Sequence, residues 1–431
     1  MKKVLIITYY WPPSGGAGVQ RWVKLSKYLA GLGVQVHILT VDENYASYIQ
    51  RDYSLLDDIS VNIHVHKTKS FEPVNIYGKL AGKKNIPTAG FSNVDNSSLK
   101  QKIINAFRSN FFIPDPRRGW NKYALRKAEE IIKKEKINTV ITSSPPHSTQ
   151  LIGIKLKKKF NLKWISDLRD PWTDIYYYNI LNHSFISKRI DAYYEKKVLQ
   201  TADIIFTVSK SLKSLFLLKK FDLDDNKIIV IPNGYDEADF KGVVKEKNPN
   251  EFIITYTGTM SDQYKPQIFF KALSKAIKQY SLSGIQLRII GKISQSILKQ
   301  IQDEGLSDFL QYINIVPHNE IIKYQMNSDI LLLVIPDMPG AKGIVTGKLF
   351  EYLATGNPIL CIGPEDGDAA TIIRKCHAGK TFNRKSEEDI KKYIYTIYKD
   401  AKKREKSNIP HRNILQYNRR KQAEKILKFI D

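Results

Sequence analysis

Cysteine is nearly missing from this chain: Cys361 and Cys376 are the two present in 431 residues. Two thiols cannot build a disulfide framework, and the adjacent Cys376 and His377 lack the spacing of a metal-ligand pair. A reducing cytoplasm fits this usage. Long apolar runs are also missing. The longest, such as Ile330 to Ile335, stop far short of the roughly 18 residues of a membrane span and read as buried strands. Lys2 and Lys3 followed by an apolar run resemble a secretory leader, but Trp11, Pro12 and Pro13 cut that run short, and it reads as the first strand. Acidic residues are scarce: 43 Asp and Glu stand against 68 Lys and Arg, a net charge of +25. Such a chain suits an anionic partner. No nucleic-acid-binding motif occurs and the aromatics are not interleaved with basic residues for base stacking, so an anionic lipid surface is favoured over nucleic acid. Each lysine near such a surface contributes about 1 kcal/mol. Lys155, Lys157, Lys158, Lys159, Lys213, Lys219 and Lys220 are the candidate patch; solvated lysine faces with no partner fit the charge as well.

What is present is a regular alternation of strand-like and helix-length segments, the α/β pattern of parallel sheets covered by helices on both faces. A length of 431 residues exceeds what one core usually serves and predicts two domains. Val4 to Thr8, Val34 to Thr40, Val61 to Val65, Thr139 to Thr142, Lys163 to Asp167, Ile204 to Val208 and Ile228 to Ile231 form the expected first sheet. Phe252 to Thr257, Gln286 to Ile290, Ile313 to Val316, Ile330 to Val334 and Pro358 to Ile362 form the second. The charged stretch Asp236 to Asn250 between them is the expected hinge. Domains are thus expected at 1–236 and 237–412, with an amphipathic segment at 413–431 returning to pack on the first. Residues 67–108 show little periodicity and are rich in lysine, which suits either an acceptor or membrane loop or a dispensable insertion.

Two segments have the character of anion sites. In WPPSGGAGVQR, Trp11 to Arg21, Gly15, Gly16 and Gly18 follow a strand and open a helix, whose first amides and positive end attract phosphate. The spacing matches neither the dinucleotide fingerprint nor the ATP-binding P-loop; a tight turn with nothing bound is the alternative. In KGIVTGKLFEYLATGNP, Lys342 to Pro358, Thr346 and Gly347 lead into a second helix start with the Lys348 ammonium beside it. Glu351, three residues on, is a neighbour of Lys348 on that helix. An intrahelical ion pair and a carboxylate accepting two ribose hydroxyls fit it equally. No D-x-D motif in a strand-end context and no Cys/His cluster suggests a metal.

Taken together, the opening strand with its Gly-Gly turn, IPNGYD (Ile231 to Asp236), YTGTMSDQYK (Tyr256 to Lys265) and the Lys348 to Pro358 run resemble the large retaining GT-B glycosyltransferase family 4. PDPRRGW (Pro114 to Trp120), SSPPHS (Ser143 to Ser148) and DLRDPWTD (Asp167 to Asp174) resemble a bacterial branch associated with surface-polysaccharide and lipopolysaccharide synthesis. The resemblance implies two Rossmann-like doubly wound parallel-sheet domains facing an interdomain cleft. It implies a nucleotide diphosphate sugar held by Gly15, Gly16, Gly258, Lys265, Lys348, Glu351 and the backbone of Val345, Thr346 and Gly347. Asp170, His147 and Lys348 are the catalytic candidates, with Arg169 and Asp167 on the acceptor side. The expected reaction is retaining transfer to a glycan or lipid-linked acceptor, without cofactor or metal, by a cytoplasmic enzyme peripheral to an anionic membrane. Three departures stand out: Gly343 replaces the first glutamate of the family's E-x7-E motif, Thr259 replaces an arginine, and Arg169-Asp170 stands where the family commonly carries a His-Asp pair. A sugar-nucleotide-binding protein without activity, or a sugar-nucleotide epimerase of the same fold, is the alternative.

Overall fold

The computed structural model describes the whole chain except residues 49, 73–108, 177, 179, 180, 220, 247 and 404–412. It divides into two compact units: Met1–Pro232 with Arg419–Asp431, and Asn233–Asn418. Most of the insertion at 67–108 therefore lies outside the described residues. Among those described, no helix is long and apolar enough to cross a membrane.

The first unit runs β1 (Lys3–Ile7), α1 (Ala17–Gly31), β2 (Gln35–Val41), β3 (Ile63–Thr68), α2 (Asn121–Glu135), β4 (Thr139–Ser144), α3 (Gln150–Lys159), β5 (Lys163–Leu168), α4 (Phe185–Thr201), β6 (Ile204–Thr207), α5 (Lys210–Leu218) and β7 (Ile228–Val230). Its seven strands are ordered β3-β2-β1-β4-β5-β6-β7 and pair in parallel. Side chains along a strand point alternately to opposite faces, so an apolar run such as Val4 to Ile7 feeds two cores. Leu5 and Ile7 join Val140, Ala124, Ala128 and Ile131 on one face, while Val4 and Ile6 join Ile141, Val19, Trp22 and Val23 on the other.

The second unit runs β8 (Phe252–Thr257), α6 (Gln267–Tyr280), β9 (Ile285–Ile290), α7 (Gln295–Asp303), β10 (Leu310–Ile313), α8 (His318–Met326), β11 (Ile330–Val334), α9 (Gly347–Thr355), β12 (Ile359–Ile362), α10 (Asp368–Lys375), β13 (Gly379–Phe382) and α11 (Glu387–Lys402). Its six strands are ordered β10-β9-β8-β11-β12-β13, again parallel. The last helix, α12 (Arg419–Leu427), belongs to the first unit, where Ala423 and Ile426 enter the core beside α1.

The strands fall where the sequence pattern puts them in both sheet centres and shift at the edges. β3 begins two residues later than expected and β10 three residues earlier, and β13 was not expected at all. The stretch expected to hinge is instead bound into the second unit. Asp236 is buried and caps the turn Glu237–Phe240. The Lys245 ammonium donates to the Thr355 carbonyl and to Asn357 Oδ1, both at 3.0 Å.

One close approach fixes the helix–sheet spacing of the first unit. Gly153 of α3 lies directly on the Trp164 indole, where an added Cβ would come 2.1 Å from a ring carbon. Trp164 is fully buried and held by Thr142, so it cannot yield. Gly153→Ala is expected to destabilise the chain by about 1–3 kcal/mol through overpacking, read as a lower urea midpoint with unchanged slope.

Candidate active site

Both sheets reverse their strand order beside the first strand of the unit, between β1 and β4 and between β8 and β11. In open parallel sheets ligands bind outside the strands' carboxyl ends at this switch point. The residues singled out in the sequence fall there.

In the second unit, β8 ends at Thr257 and Gly258, and β11 leads through a loop into α9. Thr346 occupies the N-cap of α9 in extended conformation, but its hydroxyl makes no capping bond, and Oγ1 is buried without a protein partner. The helix therefore starts with open backbone amides and an unused side-chain group. Lys348, one residue into the helix, folds back: its Nζ lies 4.1 Å from the centroid of the Tyr256 ring and donates to the Tyr256 hydroxyl at 2.9 Å. Gly258, at φ +103°, leaves room for it, since a Cβ there would come 3.0 Å from Nζ. Burial pushes the ammonium down to about 7, with the Glu351 carboxylate opposing. A lysine of lowered pKa thus stands beside a helix start with open amides.

Glu351 is held from α8: His318 Nε2 lies 2.9 Å from one carboxylate oxygen and Gln325 Nε2 donates to the other at 3.0 Å. Burial works to raise its pKa, but His318, Gln325 and Lys348 outweigh it and hold the carboxyl below the usual value. Each oxygen keeps a lone pair for a further donor. Sequence reading missed His318 and Gln325. Their separation of seven residues puts them on one face of α8, a signal that is visible only once Glu351 is known to need orienting.

Lys265 differs from Lys348. It is 54% exposed and paired with Asp337 at 2.7 Å, so it is less committed to the switch point than the sequence suggested. Gly343 ends the turn Ala341–Gly343 just before the α9 start and brings no side chain to it.

In the first unit the runs PDPRRGW, SSPPHS and DLRDPWTD converge. Asp115 accepts from the Ser148 amide at 2.7 Å and from its hydroxyl at 2.9 Å, joining PDPRRGW to SSPPHS. Arg169 of DLRDPWTD donates to the carbonyls of Ser144 (2.7 Å), Pro145 (3.4 Å) and Gly18 (2.7 Å). His147 is stacked on Trp172 with centroids 4.6 Å apart and planes 16° off parallel. Trp172 is fixed in turn by donating its indole N–H to Asp191 at 2.6 Å. His147 has neither ring nitrogen paired within the protein; burial, then the Arg169 charge, lower its pKa to about 3. It is therefore a neutral imidazole at physiological pH, with one N–H and one lone pair unused. Burial raises the Asp170 pKa, partly offset by Arg169.

Three expectations change. Asp167 does not face an acceptor: it is fully buried and accepts from Arg21 at 2.9 and 3.3 Å, from the Trp22 indole at 2.7 Å and from Ser143 at 2.8 Å. The Gly15 amide is already committed to the Gln50 carbonyl at 2.9 Å, which leaves Gly16, at φ +103° in the N-cap of α1, as the glycine at the helix start. The lysine patch is largely neutralised: Lys157, Lys159, Lys213 and Lys219 pair with Asp203, Glu129, Asp225 and Glu195, and Lys220 lies outside the described residues.

Comparison with known proteins agrees with this architecture. The model of Glycosyltransferase Family 4 matches residues 15–239, and that of Glycosyl transferases group 1 matches residues 238–412. The chain belongs to glycosyltransferase family 4 and is a sugar-transferring enzyme. No curated protein sequence matches it. Among solved structures it is similar to a glycosyltransferase from Rickettsia africae ESF-5, at 17% identity and TM-score 0.63 over 99% of this chain and 97% of that one. It is similar to Anabaena Alr3699/HepE in complex with UDP, at 12% identity and TM-score 0.63 over 99% of each chain. A third is WaaG, a glycosyltransferase involved in lipopolysaccharide biosynthesis, at 13% identity and TM-score 0.56 over 98% of this chain and 99% of that one. The two Rossmann-like parallel-sheet domains are those of the GT-B fold.

Proposed function

We propose that the chain transfers a sugar from a nucleoside diphosphate sugar to a glycan or lipid-linked acceptor during assembly of a cell-surface polysaccharide, with retention of anomeric configuration and without a metal ion. The observation that carries this reading is the α9 start: open amides, the unpaired Thr346 hydroxyl, the near-neutral Lys348 and the oriented Glu351 form one receptor for a diphosphate and its ribose. Departure of the diphosphate is the step to be assisted. Helix amides and Lys348 take the place of a cation in stabilising that charge. Backbone amides of Val345 to Gly347 and, from the outer side, Lys265 complete the donor site. His147 and Asp170, beside Arg169, act on the acceptor hydroxyl. UDP in the similar Anabaena protein and the lipopolysaccharide role of WaaG support the donor class and the pathway. The enzyme is expected to work in the cytoplasm at an anionic membrane rather than on nucleic acid.

Thermal-shift measurement against UDP-, GDP-, ADP-, CMP- and dTDP-sugars tests the donor half. A ligand at a hundred times its dissociation constant adds about 2.7 kcal/mol. No shift with any conjugate would remove the receptor. With the responding donor, His147→Ala is expected to lower kcat by roughly fivefold, the worth of one neutral hydrogen bond to the acceptor hydroxyl, while leaving the donor shift unchanged. Gly343, in place of an expected glutamate, favours one second reading, a binding protein without turnover. That reading predicts the donor shift with neither transfer nor hydrolysis.

A further inference from the structure

The exposed side of α4 carries several large apolar side chains. Ile186 (70% exposed), Ile190 (36%) and Tyr193 (58%) stand at i, i+4 and i+7 and so form one stripe along the helix. Phe185, 67% exposed, begins the helix beside them and carries the Arg189 guanidinium 4.3 Å from its ring centroid. The charged residues beside this stripe are basic: Arg189, Lys196 and Lys197 are exposed there, whereas the helix's two carboxylates, Asp191 and Glu195, are buried against Trp172 and Lys219. Folding thus turns a helix of mixed charge into an outward face of aromatic and branched apolar groups flanked by cations alone. The preceding segment is pinned to it, since Asn110 Oδ1 accepts from the Ser184 amide and the Ser187 hydroxyl, both at 2.7 Å, and its neighbour Phe111 is 70% exposed.

We infer that this face of α4 docks the enzyme on an anionic lipid bilayer, with Ile186, Ile190 and Tyr193 entering the headgroup boundary and the basic residues meeting lipid phosphates. Charge complementarity selects the occupant. A soluble protein partner would leave three cations around an apolar stripe to be matched individually, whereas an anionic leaflet matches them with a uniform field, as amphipathic interfacial helices require. The inference gives a location to the membrane association in the proposed function. It replaces the lysine patch, four of whose seven members are paired with carboxylates.

The test is co-sedimentation of the full chain with vesicles of phosphatidylglycerol and phosphatidylcholine in equal parts, against phosphatidylcholine alone. Expected is partition at least tenfold stronger on the anionic vesicles, weakening with salt. The variant I186S/I190S/Y193S should lose at least tenfold of it. R189Q/K196Q/K197Q should lose most of the salt-dependent part, each basic residue being worth on the order of fivefold. Both variants should keep the donor shift, with the charge variant melting as wild type does and the serine variant only a few degrees lower, Ile190 being partly covered. Wild type that ignores anionic vesicles, or a serine variant that binds as wild type does, overturns the inference. So does a wild-type dimer that the serine variant abolishes, which would make the face a protein interface. Vesicle binding requires no sugar chemistry, so an absent donor shift with intact vesicle binding would sink the transferase site and leave this surface standing.

Discussion

Asp167→Ala is expected to lose about 3–5 kcal/mol of stability, the cost of leaving a buried charge uncompensated. Arg21 and Asp167 have no exposed side-chain surface, and Asp167 is the carboxylate in contact with the guanidinium. Arg21 also donates to the Ile231 and Pro232 carbonyls at 2.9 and 3.0 Å, which orient it without neutralising it. Trp22 and Ser143 would lose their acceptor in the same variant. Asp167→Asn should do little better, because an amide nitrogen would face groups that are themselves donors. The pair Arg21→Met with Asp167→Leu removes both charges and is expected to recover only part of the loss, since the Trp22 indole, the Ser143 hydroxyl and two backbone carbonyls stay unpaired. Urea unfolding of the four proteins decides it. If Asp167 instead touched an acceptor, Asp167→Ala would raise acceptor KM at unchanged stability.

That residue also shows where reading the sequence stops. An aspartate at a strand's end in a parallel sheet is a site residue by position, and nothing local distinguishes it from a core anchor. The distinction rests on Arg21 and Trp22, about 145 positions away on α1, and on which face of the sheet they cover. The same limit applies to Glu351, whose partners come from α8, and to the Gly15 amide, taken by Gln50 from an irregular loop. Central strands were legible because both faces are covered, so that β1, β8 and β11 are apolar at every position or nearly so. Edge strands were less so: β7 was read in place, but β3 and β10 were displaced and β13 was missed. β3, β10 and β13 each end a sheet, and Gly-Lys-Thr-Phe of β13 has one buried residue in four, which gives periodicity nothing to detect. The converging motifs of the first unit were legible as three separate runs. Their meeting at Asp115–Ser148 and His147–Trp172 is a property of the sheet order β1-β4-β5.

Raising the pH from 7 to 9 is expected to weaken binding of a nucleoside diphosphate sugar by roughly 10²-fold. Burial lowers the Lys348 pKa from the usual 10.5 to about 7, so the free site loses its charge as pH rises through 7. A bound diphosphate, fully ionised throughout this range, restores the ammonium by attraction. Binding then takes up a proton, and each pH unit above the free value costs up to tenfold in affinity until the bound value is passed. Calorimetry in buffers of differing ionisation heat should register close to one proton taken up at pH 9. Lys348→Ala should bind about 10- to 100-fold more weakly at pH 7, the worth of a hydrogen bond to a charged group, with little change on going to pH 9 and no proton uptake. The same lysine acts on folding with the opposite sign. Between pH 7 and 10.5 the unfolded chain holds a proton that the folded chain lacks, so this group's contribution makes the unliganded protein more stable as pH rises. Below 7 the full cost of burying the charge is present. A site that gains stability while losing affinity over one pH window separates a phosphate-receiving lysine from a lysine that only packs on Tyr256, for which affinity would stay flat. Pairing the two titrations on wild type and Lys348→Ala therefore tests the receptor itself, before any acceptor is known.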